Sequence, residues 1–261
     1  MGTLYSRQPV LTVFGMLFLV IAAVTFGLQF VDLRQLDGVD VWIKPTKFFF
    51  SVAVFALTAA WFFGYVRPER RTSAGMLYVV WVIVVFGTFE NGWITWQAAH
   101  RLASHFNSST LLYGVMYGLM GVGALLLVST CVPLAWEIAR RPVAGLRADY
   151  RFAVVAGLVL TCVLGGGAGM YMGAQHGHSV GLQGGFLPIF GWNRSGGDLR
   201  VAHFFGMHFE QALPLLAAVM TPLPKGVRWT IIGLAMVGGV VLTIGVGVQA
   251  VMGLPFLPGL V

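Results

Sequence analysis

Charged residues are scarce in this chain, and their scarcity argues against a soluble protein. Of its 261 residues only 10% are charged and 57% are hydrophobic, and the mean hydropathy is +0.83. A soluble domain of this size carries about a quarter charged residues. We therefore predict an integral membrane protein. Its net charge of +7 then reflects membrane orientation and contact with anionic lipid, and we expect no binding of nucleic acid.

Several functional motifs are absent as well. The two cysteines, Cys131 and Cys162, lie in apolar stretches without a CxxC spacing, which argues against a disulfide framework or a dithiol redox pair. The sequence has no HExxH zinc motif. Its last apolar stretch has no lysine that could hold retinal, which argues against a light-driven rhodopsin.

Long apolar runs divide the chain into seven segments, each long enough for a helix that spans a membrane. The predicted spans cover residues of about 9–30, 42–66, 76–99, 111–136, 150–172, 200–221 and 227–252. The loops between them are short, apart from a Gly-rich loop at 173–197. We predict an all-α fold, a single bundle of seven transmembrane helices.

The distribution of Lys and Arg predicts the orientation of this bundle. The N-terminus and the loops after the second, fourth and sixth spans hold more of these residues than the opposite loops. Positively charged loops stay in the cytoplasm, so we expect a cytoplasmic N-terminus and a C-terminus on the outer side. All six histidines then fall on the outer side, which concentrates the polar chemistry at one face of the membrane.

The stretch Asp198–Gln211, DLRVAHFFGMHFEQ, places ionisable side chains at the start of an apolar segment. Such groups are costly inside a bilayer and by default indicate function. At helical spacing His203 and Glu210 share one face, whereas His208 lies about 140° away from His203. His203 and His208 are therefore predicted to ligate with partners from other helices, and not to bind one ion from a single face.

A second polar group lies on the second and third predicted spans. If the third helix continues unbroken, one of its faces carries Glu90, Gln97, Arg101, Ser104 and His105. We expect a buried Lys47 on the second span, which requires a carboxylate, and Glu90 or Glu210 lie at similar depth. Such a pair either fixes helix packing or handles protons.

The fifth span and the loop after it carry two further patterns. Small residues recur every fourth position at Gly157, Thr161, Gly165, Gly169 and Gly173. Such a stripe favours close helix packing, and it can also accept the flat face of a macrocycle. The following MYMGAQHGHSVG holds His178 near two methionines. Thioether with imidazole suits copper, and imidazole alone suits haem iron or zinc.

Three stretches carry a resemblance to known proteins: WIKPTKF at Trp42–Phe48, SHFN at Ser104–Asn107 and GGDLRVAHFFGMH at Gly196–His208. Together they resemble an uncharacterised group of bacterial multi-spanning membrane proteins, and the resemblance covers most of the chain. It implies a location in the bacterial inner membrane. It implies no reaction and no site residues.

These patterns favour a redox protein at the outer face, with haem b or a transition metal (copper or zinc) as cofactor and a quinol or a periplasmic redox protein as partner. His105 would meet His203 or His208 as an axial ligand. Arginines would pair with the haem propionates. The inner side has no histidine, which argues against a transmembrane electron conduit. The candidate cofactor-binding residues are His105, His203, His208, Arg101 and Arg200, with Arg194 as a third arginine that could pair with a propionate. The candidate metal ligands are His105, His178, His203 and His208, and the candidate catalytic residues are Glu90, Glu210 and Lys47.

Three alternatives remain open from the sequence. A zinc-dependent hydrolase or lipid-modifying enzyme would use three histidines, with Glu90 or Glu210 activating water. A proton-coupled transporter would use Lys47, Glu90 and the histidines as a relay, although few polar groups continue towards the cytoplasm. In the third alternative the histidines only cap helices and contact lipid headgroups. The oligomeric state is left open.

Overall fold

The computed structural model describes residues 2–175 and 177–257. Helices make up most of these ranges, and the rest consists of loops and two short antiparallel strand pairs. The all-α prediction is therefore confirmed. The chain divides into two compact units, Met1–Glu137 with Arg141–Val143, and Ile138–Arg140 with Ala144–Val261.

The first unit begins at the N-terminus. Its elements are α1 (Gly2–Arg7), α2 (Pro9–Leu28), β1 (Gln35–Leu36), β2 (Val39–Asp40), α3 (Ile43–Phe63), a 3₁₀ turn (Pro68–Arg70), α4 (Ala74–Ala99), α5 (Leu111–Ser129) and most of α6 (Cys131–Arg140). Small residues bring α2 and α3 together. Ala53, Ala56 and Ala60 are fully buried on one face of α3, and Gly15 of α2 packs so closely that a β-carbon there would lie 2.7 Å from Leu57.

The second unit is arranged around one long helical segment. Its elements are the end of α6, α7 (Ala148–Leu160), a π-helical turn (Thr161–Gly165), α8 (Gly166–Ala174), β3 (Ser179–Val180), β4 (Gly197–Asp198), α9 (Leu199–Met207), α10 (Phe209–Val219) and α11 (Lys225–Val251). The segment formed by α7, the π turn and α8 packs against α9 and α10. Phe209, Leu213 and Ile232 form the buried core there with Ala153.

Within the described ranges, six helical segments are long and apolar enough to cross a membrane: Pro9–Leu28, Ile43–Phe63, Ala74–Ala99, Leu111–Arg140, Ala148–Ala174 and Lys225–Val251. They correspond to six of the predicted spans. The other predicted span, about 200–221, consists of two short helices, α9 and α10, that meet at His208. The count of seven is therefore not confirmed. Because this broken segment decides on which side the chain ends, the orientation of the termini stays a prediction.

Candidate functional site

The break between α9 and α10 is held by a side chain from the π-helical turn. The Thr161 hydroxyl accepts a hydrogen bond from the backbone N–H of Glu210 at 3.0 Å and donates one to the Met207 carbonyl at 3.3 Å. A bilayer offers no water to backbone groups at a helix break, so these partners replace it. π-helical turns recur at functional sites. Two irregular segments thus meet where the sequence placed its ionisable residues.

Glycine lets these two segments approach closely. A β-carbon at Gly206 would lie 2.5 Å from the backbone nitrogen of Gly165, and one at Gly157 would lie 2.7 Å from the Phe209 carbonyl oxygen. The stripe of small residues therefore allows the backbone of α9 and α10 to pack closely against this segment, as expected for such a stripe. At Gly169 the neighbour is the imidazole ring of His203, 3.1 Å from a β-carbon placed there.

His203 has its tautomer fixed by the π-helical turn. Its Nδ1 lies 2.8 Å from the carbonyl oxygen of Gly165, and a carbonyl only accepts, so Nδ1 carries the proton and donates it. In the neutral ring Nε2 then holds a lone pair. A backbone carbonyl on Nδ1–H is the usual second contact of a histidine that binds a metal through Nε2.

The ring of His208 is also oriented through its Nδ1, here by hydrogen bonds that link His208, Gln211 and Glu210 at the break. Its Nδ1 donates to Oε1 of Gln211 at 3.2 Å, and the Gln211 amide donates to Oε1 of Glu210 at 2.7 Å. Glu210 is buried. The Phe204 ring packs edge-on against the imidazole, with the ring centroids 4.4 Å apart. Both histidines therefore carry the Nδ1 proton and keep Nε2 as the basic nitrogen.

His105, in the first unit, has the opposite tautomer. Its Nδ1 lies 3.1 Å from the Lys44 ammonium and 3.2 Å from the Ser104 hydroxyl. Because Lys44 donates to Nδ1, the proton of the neutral ring is on Nε2. Burial, together with the nearby Lys44 charge, lowers the pKa of His105 from 6.5 to about 3, so the ring stays neutral at physiological pH. This arrangement does not favour His105 as a ligand.

Two of the three arginines predicted to pair with haem propionates, Arg101 and Arg200, have hydrogen-bond partners in the protein. The Arg200 guanidinium lies 2.6 Å from the buried Asp198 carboxylate and also donates to the Gly191 carbonyl. Arg101 donates to the Gln35 carbonyl. Each arginine thus fixes a loop, and pairing with propionates stays a prediction.

The remaining histidines lie outside the helix break. The His178 ring meets the Ser179 hydroxyl at 3.0 Å, and its carbonyl accepts from the first N–H of α9. His178 thus ties the Gly-rich loop to α9. His100 is exposed, and its ring lies tilted against Trp96. His176 lies outside the described residues.

Glu90 lies on α4 and faces α5. The side chain is 5% exposed, and a β-carbon on Gly123 would lie 3.2 Å from its Oε1 and 3.2 Å from Phe86. Among the described residues no hydrogen-bond partner reaches this Oε1, nor the amide oxygens of Asn91 and Gln97. Three acceptor atoms on one apolar helix are thus left without a donor, which is costly in a bilayer.

The expected burial of Lys47 is wrong. Its side chain is exposed on α3, because the position faces away from the alanine-lined contact with α2. The predicted partner oxygen, Oε1 of Glu90, receives no hydrogen bond from any described residue. An exposed Lys47 does not require a buried carboxylate to neutralise it, and its pairing with Glu90 or Glu210 stays a prediction.

The sequence patterns did not identify two carboxylates that are buried in the structure. Glu137 in the first unit lies 3.0 Å from Arg70 and 3.8 Å from Arg141. Asp149 in the second unit lies 2.8 Å from Arg147 and 2.7 Å from Arg228. The available indication was that both acidic residues lie among the arginines of one loop, 137–149, which is predicted to be cytoplasmic. These arginines were used only to predict orientation.

In the part of the chain that the structure describes, no group of three or more His, Cys, Asp or Glu is placed to hold a metal ion. A zinc site built from three histidines therefore has no support from the described residues. A site that needs fewer protein ligands, as a haem iron does, is compatible with the helix break.

No protein-family model, no curated protein and no solved structure matches this chain. The resemblance to uncharacterised bacterial inner-membrane proteins stays a prediction from the sequence. The function is therefore argued from the geometry of the helix break and of α4.

Proposed function

We propose that the protein binds haem in the membrane through His203 and works as a redox protein. The observation that carries the proposal is the hydrogen bond from Nδ1 of His203 to the Gly165 carbonyl. That bond fixes the ring and leaves Nε2 as the ligating atom, because a haem iron takes a neutral imidazole nitrogen.

The chain supports this ligand in two ways. The Gly165 carbonyl makes the imidazole more basic and prevents rotation of the ring. His208, held by Gln211 and Glu210, supplies a second Nε2 lone pair from the same helix break. Haem, when bound, would supply one-electron chemistry. Haem is favoured over zinc because one or two imidazoles suffice for it, whereas a protein zinc site takes three or four ligands.

Purified protein is expected to show the Soret absorption of haem, and His203→Ala is expected to lose most of it. His208→Ala should shift the band or reduce its amplitude. His100→Ala is the matched control, because His100 is exposed and its ring contacts Trp96, and it should keep the band. Metal analysis of the same samples measures iron, copper and zinc. Protein that holds neither haem nor stoichiometric metal, or a Soret band unchanged by His203→Ala, would contradict the proposal.

A second candidate function, proton handling, is favoured by Glu90. A buried carboxyl without a basic partner is held in its neutral, protonated form in an apolar environment. Gly123 opposite leaves space at Oε1, where an alanine would not. Glu90 thus combines burial with an Oε1 that receives no hydrogen bond from the described residues, and both features suit a carboxyl that binds a proton. This candidate function of Glu90 does not require bound haem.

Protonated carboxyls in apolar surroundings add to a hydrophobic carbodiimide to give an O-acylisourea, and this adduct rearranges by acyl transfer from oxygen to nitrogen to a stable N-acylurea. Dicyclohexylcarbodiimide is therefore expected to label Glu90 near neutral pH, as a mass increase on the peptide that contains it. Glu90→Gln should abolish this label. Asp149 is the internal control, because Arg147 and Arg228 hold it as a carboxylate, and it should stay unlabelled. Equal labelling of Glu90 and Asp149, or no label on Glu90, counts against proton handling.

A further inference from the structure

The loop tip 181–191, in the second unit, is strongly apolar. The chain carries no Lys, Arg, Asp or Glu between Arg151 and Arg194, so the tip has no formal charge. Four of its large apolar side chains are exposed: Leu182 is 75% exposed, Phe186 52%, Ile189 85% and Phe190 43%. Contiguous exposed apolar side chains of this kind indicate a binding surface for protein or membrane.

Hydrogen bonds of Asn193, at the base of the loop tip, hold the backbone of the loop in place. Asn193 accepts hydrogen bonds from the backbone N–H groups of Gly184 and Ser195 and donates to the Leu182 carbonyl at 2.7 Å. Its own N–H donates to the buried Asp198 carboxylate at 2.8 Å. The exposed side chains are therefore presented by a fixed scaffold.

Trp192 anchors the same loop through apolar packing. It is buried with Val201, Ala202 and Val246, and its ring stacks on Phe190 at 4.5 Å between centroids. The neighbouring turn is closed by bonds from the Leu187 N–H to the Trp192 carbonyl and from the Gly191 N–H to the Leu187 carbonyl. One aromatic ring thus faces inwards while Phe190 and Ile189 face outwards.

Ile189 adopts a backbone conformation that its side chain disfavours. Its φ is +69°, in the left-handed region where a β-branched residue is strained. Strain of this kind persists where the surrounding structure imposes it, and it occurs at sites that bind. A turn needed only for chain reversal would be served better by glycine. The strained position instead presents a large apolar side chain at the apex of the tip.

The loop tip emerges at the end of an apolar helix. A β-carbon on Gly181 would lie 3.6 Å from Gly253, just beyond the last residue of α11, and Gly197 packs on the Ala250 carbonyl. α11 is one of the candidate membrane spans, so its end lies where a bilayer meets water. Interfacial segments place apolar side chains such as Phe and Leu at that level. Arg194 at the base of the tip suits lipid phosphate.

We propose that the loop tip inserts into the headgroup and upper acyl region of the adjacent membrane leaflet, with Leu182, Phe186, Ile189 and Phe190 in contact with lipid. A lipid surface is favoured over a protein partner because the tip has no charged side chain to give partner specificity. Interfacial segments of this type bury an apolar face at the boundary between headgroups and acyl chains. The insertion is independent of haem binding and of Glu90.

The test places a small environment-sensitive fluorophore at Ile189→Cys, with Cys131 and Cys162 replaced by alanine, in lipid nanodiscs. The control is Ser109→Cys, an exposed polar position in a loop of the first unit. A nitroxide carried shallowly on lipid chains is expected to quench the label at position 189 several-fold more than the label at 109. Aqueous iodide is expected to give the reverse order.

Iodide quenching at position 189 equal to that at 109 would overturn the proposal. So would protection at 189 that appears only as the number of copies per disc rises, because this would indicate contact with a second copy. Protection that requires an added protein would favour a protein partner and would equally overturn it. Phe186→Cys provides a second position on the same tip without the strained backbone, and it must behave as position 189 does.

Discussion

Replacing Gly206 by alanine is expected to prevent stable folding of the second unit. The new β-carbon would lie 2.5 Å from the Gly165 nitrogen, 2.7 Å from its α-carbon and 2.8 Å from the Leu164 carbonyl carbon. All three are backbone atoms of the π-helical turn, so no flexible side chain can move aside. Overpacking of this kind costs typically about 1–3 kcal/mol, and more where backbone must shift. We expect a loss above about 3 kcal/mol.

Thermal unfolding in detergent, followed by the fraction that stays monodisperse, measures this effect. Gly233→Ala in α11 is the matched control, because no described atom considered for close contact lies within 4 Å of a β-carbon there. Alanine is the better helix former, so Gly233→Ala should leave stability unchanged or raise it by up to about 1 kcal/mol. If Gly206→Ala unfolds at the wild-type temperature, the close approach of α9 to the π-helical turn is wrong. Haem content in any folded Gly206→Ala protein would then show whether the His203 position depends on that approach.

The helices of this protein follow from local sequence, whereas the helix break does not. A long apolar run suffices to predict a span, and the predicted 76–99 compares with the observed Ala74–Ala99. The second half of the predicted span 200–221 is also an apolar run, yet the segment is divided at His208 into two short helices. The break depends on the hydroxyl of Thr161, which is distant in sequence. No local pattern reports such a contact.

The same distinction applies to the candidate site. The cost of ionisable groups in a bilayer drew attention to His203 and Glu210, and the fold places both next to the π-helical turn. The tautomer of His203, however, is set by Gly165, and this required the fold. The polar face that was predicted to include His105 requires the third predicted span, which is α4, to continue as a helix as far as residue 105. α4 ends at Ala99, and a turn with Arg101 at φ +55° follows, so His105 leaves that face and meets Lys44.

Removing the Asp149 carboxylate is expected to destabilise the second unit almost as strongly. Arg228 is only 16% exposed and Arg147 32%, so Asp149→Ala would leave a largely buried guanidinium without a counter-charge. Breaking a buried pair in this way costs about 3–5 kcal/mol. The Arg228→Met variant should cost less than Asp149→Ala, since Arg147 still pairs with the carboxylate. Asp149→Ala combined with Arg228→Met should recover part of the loss.

Glu137 of the first unit provides the comparison within the same chain. It too is buried between two arginines, but Arg70 is 38% exposed and Arg141 50%. Both guanidiniums can turn to water or lipid phosphate when the carboxylate is lost, so Glu137→Ala should cost clearly less than Asp149→Ala. Thermal unfolding of the four variants measures the order. Two results would contradict this prediction: a double variant no more stable than Asp149→Ala, or equal losses for Glu137→Ala and Asp149→Ala. Either would mean that the burial of the arginine does not set the cost. Asp149 would then act through its position in the first turn of α7.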